Sequence, residues 1–302
     1  MDSAFDPLPD DDTPIAYMQR TRDWYLALGY GNPYRWAHHD RVPFQPLGKP
    51  LERCTLALVT TATPFQPDKG PQGPGAPYNG AAKFHEVYSA DTAVDHDLRI
   101  AHVAIDRRHT SMEDSGCWFP LPALRQAVAR GRLGRLAPRF HGAPTSRSQR
   151  RTVEVDAPQI VARCRADGAD AALLVANCPV CHQTLSLVAR QLEAAGIATV
   201  VMGCAKDIVE HVGVPRFLFS DFPLGNAAGK PHDGASQAAT LELALRLLES
   251  APAPRTTVQS PQRWSDSAAW KQDYCNAARI DAAELAQRRA EFDAAKAGAT
   301  PA

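Results

Sequence analysis

Apolar positions along this chain repeat with two different periods, and the places where one gives way to the other mark out the elements. From residue 157 onward, short apolar runs alternate with stretches of helical spacing. They predict helix Ala157–Ala166, strand Ala171–Ala176, helix Cys181–Ala195, strand Ala198–Gly203, helix Lys206–Val212, strand Arg216–Ser220 and helix Ser236–Leu248. Strands alternating with helices of this length build βαβ crossovers, so the predicted fold class is α/β, with a mainly parallel sheet flanked by helices. Upstream, TLALVTT at Thr55–Thr61 is a β-branched strand. It stops at Thr63-Pro64 and opens into FQPDKGPQGPGAPYNG, whose Pro and Gly content excludes regular structure. LRIAHVAI at Leu98–Ile105 reads as a second strand, Phe119-Pro120 starts a helix over Leu121–Arg130, and His141–Arg151 reads as a polar connector.

The two ends differ from this regular middle. Residues 1–13 form an acidic, Pro-containing arm, followed by a helix within Ile15–Leu28; after Ala251 the pattern breaks at PAPRTTVQSPQ and resumes as a helix over Asp281–Ala297. The expected organisation is an N-terminal arm and helix over 1–52, an α/β domain over 53–250 divisible into two subdomains near 141–152, and a linker with a C-terminal helical extension over 251–302.

Composition narrows the function classes. The 302 residues carry 33 Lys+Arg against 33 Asp+Glu, so no charge excess points to nucleic acid or an anionic membrane. The N-terminus lacks a basic region followed by an apolar run, and no stretch reaches the roughly 18 apolar residues of a membrane span; the expected location is cytoplasmic. Seven cysteines, an odd number thinly spread, do not make a secreted disulfide framework, and attention falls on a single CxxC.

In Cys178-Pro179-Val180-Cys181-His182 an apolar strand runs into a helix, which places both thiols in the first helical turn, at the positive end of the macrodipole. That position favours thiolate, the form that acts as nucleophile or metal ligand. In open parallel sheets ligands bind where strand ends meet helix starts. A zinc reading takes Cys178 and Cys181 together with a distant His such as His102. A second cluster runs from Asp95 through His96, Asp97 and His102 to Asp106 and His109. On a strand, His102 and Asp106 share a face, while His109 lies beyond the strand end. The segment Asp221–Asp233 follows the strand Arg216–Ser220; its Gly225, Asn226 and Lys230 are candidates for holding a polar group, although the spacing is not that of a P-loop. Thr61, closing the first strand, joins these substrate-binding candidates, and Cys204 stands at the end of the strand beside the CxxC.

The stretches LVTTATPF, DLRIAHVAID, FPLPALRQAVARGRLGRLAPRFHG, DGADAALLVANCPVCHQTLSLVARQLEAAGIATVVMG and PRFLFSDFPLGNAAGKP resemble the selenoprotein B subunits of the D-proline, glycine, sarcosine and betaine reductases. The likeness spans roughly residues 53 to 250. In that family a selenocysteine precedes Pro-x-Cys; here Cys178 holds its place and Cys181 is the partner. The resemblance implies that the chalcogen attacks a substrate activated by a pyruvoyl-bearing partner subunit and cleaves a C–N bond reductively, the second thiol resolving the intermediate. With sulfur in place of selenium, ionisation relies on the helix terminus and on neighbours such as His182.

The expected function is therefore that of a thiol-dependent reductase acting on a small polar substrate. Cys178 attacks, Cys181 resolves, and His102 or His182 handles the proton. A dithiol reductant is the expected co-substrate, and a homo-oligomer or partner subunit the expected assembly. Two alternatives stay open at this point. One is a hydrolase or desulfhydrase that releases sulfide from a thiocarbonyl compound, with zinc or another divalent metal on Cys178, Cys181 and His102. The other is a non-catalytic, redox-sensitive subunit.

Overall fold

The computed structural model describes residues 13–29, 34–73, 76, 79–100, 102, 104–145, 148–279 and 281–297. Most of the acidic arm lies outside these residues. Along the chain run α1 (Tyr17–Ala27), β1 (Thr55–Thr60), β2 (Thr63–Pro64), β3 (Tyr88–Asp91), β4 (Leu98–Arg99), α2 (Leu121–Ala129), β5 (Arg135–Leu136) and β6 (Arg139–Gly142). There follow α3 (Gln149–Arg151), a π turn over Thr152–Asp156, α4 (Ala157–Ala166), β7 (Ala171–Val175), α5 (Pro179–Ala194), β8 (Ala198–Gly203), α6 (Lys206–Val212), β9 (Arg216–Phe219), α7 (Gly234–Ser250), β10 (Thr256–Gln259) and α8 (Ala282–Ala297).

The main sheet has the order β10-β9-β8-β7-β1-β6-β3, with β5 also paired to β1. Its pairings are parallel except that of β3 with β6. Helices flank it, so the fold is α/β as the alternation predicts. Every residue of β1, β7 and β8 is buried, which is why these strands read as continuous apolar runs rather than alternating ones. From β7 the chain winds outward through β8, β9 and β10, whereas β6 and β3 lie on the other side of β1. The winding therefore reverses between β1 and β7, and a crevice opens beyond their carboxyl ends.

Three segments differ from the sequence reading. Of the strand expected over Leu98–Ile105 only Leu98–Arg99 pairs, antiparallel to β2 in a separate two-stranded sheet; Ala101 and Val103 lie outside the described residues. The chain turns at 106–109 because the Asp106 carboxylate accepts from Arg108 N at 3.2 Å and His109 N at 3.1 Å, a local turn that competes with strand pairing. His102 and Asp106 are thus not on one strand face. The connector expected over His141–Arg151 begins as strand: His141 pairs with Val59 and Ser89 in β6, and Gly142 leaves room for the Tyr88 ring, which a Cβ would meet at 1.8 Å. Beyond Ala251, TTVQ adds β10 to the sheet edge, a run too short for its periodicity to stand out.

Some charged groups buried in this frame are paired with one another. Arg216 and Glu193 pair at 2.8 Å with both side chains almost fully buried, and Glu193 also accepts from Thr199 Oγ1 at 2.8 Å. Arg216 Nη2 donates to Gln45 O at 2.8 Å, its guanidinium lying 4.3 Å from the centre of the Phe44 ring, so the pair pins the 44–45 segment to the sheet. Truncating Arg216 to Met leaves Glu193 buried and unpaired; we expect a loss of about 3–5 kcal/mol in urea unfolding. His141 is fully buried and held neutral, its pKa pushed down to about 4 by burial, against the opposing pull of Asp167. The unfolded chain binds a proton at this site below its ordinary value near 6.5, and the folded chain only near 4. Stability is therefore full above pH 6.5 and falls as pH drops toward 4, by up to about 3 kcal/mol from this residue. His141→Gln should remove that part of the acid dependence in denaturant titrations run from pH 7 to pH 4.

Candidate functional site

The CxxC sits at the reversal point. Cys178 follows β7 and is the N-cap of α5: its φ of −132° is extended, its Sγ accepts from Cys181 N at 3.2 Å, and Pro179 fills the first helical position. Both residues are buried, Cys178 at 5% exposure and Cys181 at 0%. His102 reaches the same point from the chain after β4. One ligand atom each of His102, Cys178 and Cys181 lie within 4.8 Å of one another, all three residues buried. His102 Nδ1 is buried without a hydrogen-bond partner.

Burial raises both thiols, yet the two do not behave alike. At Cys181 burial is outweighed by the hydrogen bond from Cys178, by the charge and hydrogen bond of His102 and by the Thr61 hydroxyl, which together bring it well below the ordinary thiol value. Cys178, desolvated and keeping the proton that the pair shares, stands well above it. The pair titrates as a unit: one proton leaves readily and the other is held. Thr61 is fully buried at the end of β1, and Asn177 Nδ2 donates to its hydroxyl at 3.3 Å, linking the ends of β1 and β7.

His182, expected to handle a proton, is engaged at both nitrogens. Nδ1 donates to Cys178 O at 2.7 Å, and Nε2 accepts from Cys204 N at 2.9 Å and Ala205 N at 3.1 Å. Burial pushes its pKa down to about 4, so the ring is a neutral strut between the CxxC turn and the end of β8. Gly203 makes room for it, since a Cβ there would lie 2.5 Å from the ring. Cys204 faces the backbone N–H groups of Asn226 and Phe222, and burial pushes it up to about 12.

The remaining sequence candidates are placed as follows. Asp106 is buried, which raises its pKa, and it holds His109 Nδ1 at 3.2 Å; His109 Nε2 lies 3.2 Å from Asp273. Gly225 takes a φ of 107°, and Asn226 is fully buried, accepting from Thr110 Oγ1 at 3.1 Å and donating to Pro223 O at 3.0 Å. Both shape the loop after β9. The Lys230 backbone is bonded to Ser236 and Gln237 at the start of α7.

The sequence reading missed the cover over this crevice. The Tyr17 ring of α1 meets the Tyr274 ring edge to face at 5.8 Å, and Arg20 Nη1 donates to Tyr274 O at 3.0 Å. Met18 N donates to Asp207 at 2.7 Å, and Lys271 pairs with Asp221 and donates to Thr13 O at 3.0 Å. These bonds anchor both terminal segments to loops at the carboxyl ends of β8 and β9. The Tyr274 phenol, held neutral by burial, lies near Cys178, as does Lys83, just past the long Pro/Gly loop. No spacing in the sequence marks these residues; their role follows only from long-range packing.

With the geometry in place, comparison with known proteins adds a lineage. No family model and no solved structure matches the chain. The D-proline reductase subunit gamma of Acetoanaerobium sticklandii is 29% identical over 224 residues, 72% of this chain and 88% of that protein. The glycine reductase complex component B subunit gamma of Carboxydothermus hydrogenoformans is 26% identical over 194 residues, and that of Symbiobacterium thermophilum 25% identical over 211 residues. The chain spans about half the length of these two, 44% and 48% respectively. These reductase subunits are homologues of the chain, in keeping with the resemblance carried by the CPVC segment and its surroundings. Among the described residues no helix is long and apolar enough to cross a membrane.

His182→Ala removes a strut that satisfies two backbone N–H groups and one carbonyl. Each buried group left unpaired costs about 1–3 kcal/mol, so we expect a stability loss of several kcal/mol in urea unfolding. His182→Asn, which keeps one donor and one acceptor, should recover part of it.

Proposed function

We propose that this chain, a homologue of reductase-complex subunits, performs a thiol-dependent reductive cleavage of a C–N bond in a small polar substrate. The observation that supports this most is the convergence of two thiols and one imidazole, all three residues buried, at the reversal point of a parallel sheet. In this reading the Cys178 S–H bond breaks as its sulfur bonds to the substrate carbon; the C–N bond breaks, its electron pair leaves with nitrogen, and the thiol proton passes by way of His102 to that nitrogen. The Cys181 thiolate then attacks the Cys178 sulfur. The S–S bond forms, the C–S pair passes to carbon, and carbon takes a second proton. The dithiol supplies the two electrons, and an external dithiol restores it. His102, beside Cys181 and with a spare nitrogen, is the group that holds and delivers the proton; His182, saturated by backbone bonds, is not. The names of the relatives, each a subunit, support a partner that presents the activated substrate.

The test is a single turnover of the reduced full-length protein with D-proline or glycine, together with the partner subunits of the relatives' complexes and no external reductant. We expect one Cys178–Cys181 disulfide per product molecule, no product with Cys178→Ser, and a covalent substrate adduct on Cys178 with Cys181→Ser. Product from the Cys178→Ser protein, or turnover of neither substrate, would overturn the reading. Sulfide released from a thiocarbonyl compound without consumption of dithiol would assign hydrolysis instead.

A further inference from the structure

We infer that Cys178, Cys181 and His102 form a site for a thiophilic divalent cation of the zinc class, and that filling it blocks the thiol chemistry. The binding part stands apart from the reductase reading; the blocking part rests on it.

The donor set and its spacing carry the inference. Two thiols in one helical turn with a C-x-x-C spacing, joined by an imidazole from a distant loop, are three of the four ligands of a tetrahedral zinc site. With Zn–S near 2.3 Å, the two sulfurs of such a site lie about 3.8 Å apart. The three donor atoms here are already within 4.8 Å of one another, so small side-chain rotations close the remaining gap. Two thiolates neutralise a dication, which lets the charge stay in a buried pocket at little cost. The thiol protons leave to water.

A second observation comes from the imidazole itself. His102 is 5% exposed, and its Nδ1 has no hydrogen-bond partner, a vacancy rarely left in a buried polar group. Arg107 Nη2 donates to His102 O at 2.8 Å. Among the described residues no fourth His, Cys, Asp or Glu joins the cluster. The fourth position is therefore left to water or another small ligand. A cation so held takes up a lone pair on each of Cys178 and Cys181, lowering the nucleophilicity of both and tying Cys181 away from attack on the Cys178 sulfur.

Cadmium reports on this directly, because bound thiolates give a sulfur-to-cadmium charge-transfer band in the near ultraviolet. Titrating the reduced full-length protein with cadmium chloride should give one ion per chain with the band of two thiolates. The band should vanish in Cys178→Ser, in Cys181→Ser, and in wild-type protein oxidised beforehand to the Cys178–Cys181 disulfide. His102→Asn should weaken binding at least about tenfold. The oxidised wild type keeps the test valid even if a variant fails to fold. Absence of the band, its persistence in the disulfide form, or unchanged affinity in His102→Asn would overturn the site. Zinc should then suppress turnover, and a chelator should restore it; turnover undiminished by one bound zinc per chain would overturn the blocking role while leaving the site. Because the cadmium titration needs no substrate, its failure is distinct from failure of the reductase reading.

Discussion

Cys178 caps helix α5. Its sulfur accepts the Cys181 N–H, and its carbonyl accepts His182 Nδ1–H. The far side of that imidazole in turn accepts the N–H groups of Cys204 and Ala205 at the end of β8. One residue thereby caps the helix, fixes the spacing of two adjacent strand ends and presents a sulfur to the crevice. The cap of the helix and the nucleophile of the proposed reaction are thus the same atom.

Burial sets the chemistry available to that atom. A lone thiol with no water around it stays protonated, as Cys117 and Cys164 illustrate, the latter pushed up to about 12 by burial. In the CxxC one thiol escapes this: Cys181 finds a second thiol, an imidazole and a hydroxyl as partners and falls below the ordinary value, while Cys178 keeps the proton. The cover formed by α1 and the segment around Tyr274 adds selectivity of access, since Cys178 keeps only 5% of its surface exposed beneath it. The ion pair of Lys271 with Asp221 and the contact of His109 with Asp273 hold that cover down.

Much of the fold was legible in the sequence because long-period packing imposes a local signature. The apolar runs of β7, β8 and β9 and the amphipathic helices between them match the predicted boundaries to within two residues, α5 and α7 included. The CxxC could be read because it lies where one period changes to another. Other features could not. His141 sits in a strand of four residues, too short to show alternation; Asp106 makes a turn within a run whose composition reads as strand. The saturation of His182 depends on Gly203 and the N–H groups of β8, some twenty residues away, and the cover depends on contacts between residues about 250 positions apart. What escaped prediction is set by tertiary contacts that leave no periodic trace.

The account centres on Cys178 as the reactive sulfur of a buried dithiol. The most direct measurement is the rate of iodoacetamide alkylation of each cysteine in the reduced protein at pH 7, read by peptide mass spectrometry. We predict that Cys178 reacts faster than Cys54, Cys117, Cys164 and Cys204, which are just as buried but lack a partner thiol, and that Cys181→Ser slows it. If Cys178 is as inert as those four, the paired thiols are not the nucleophilic unit, and the account fails.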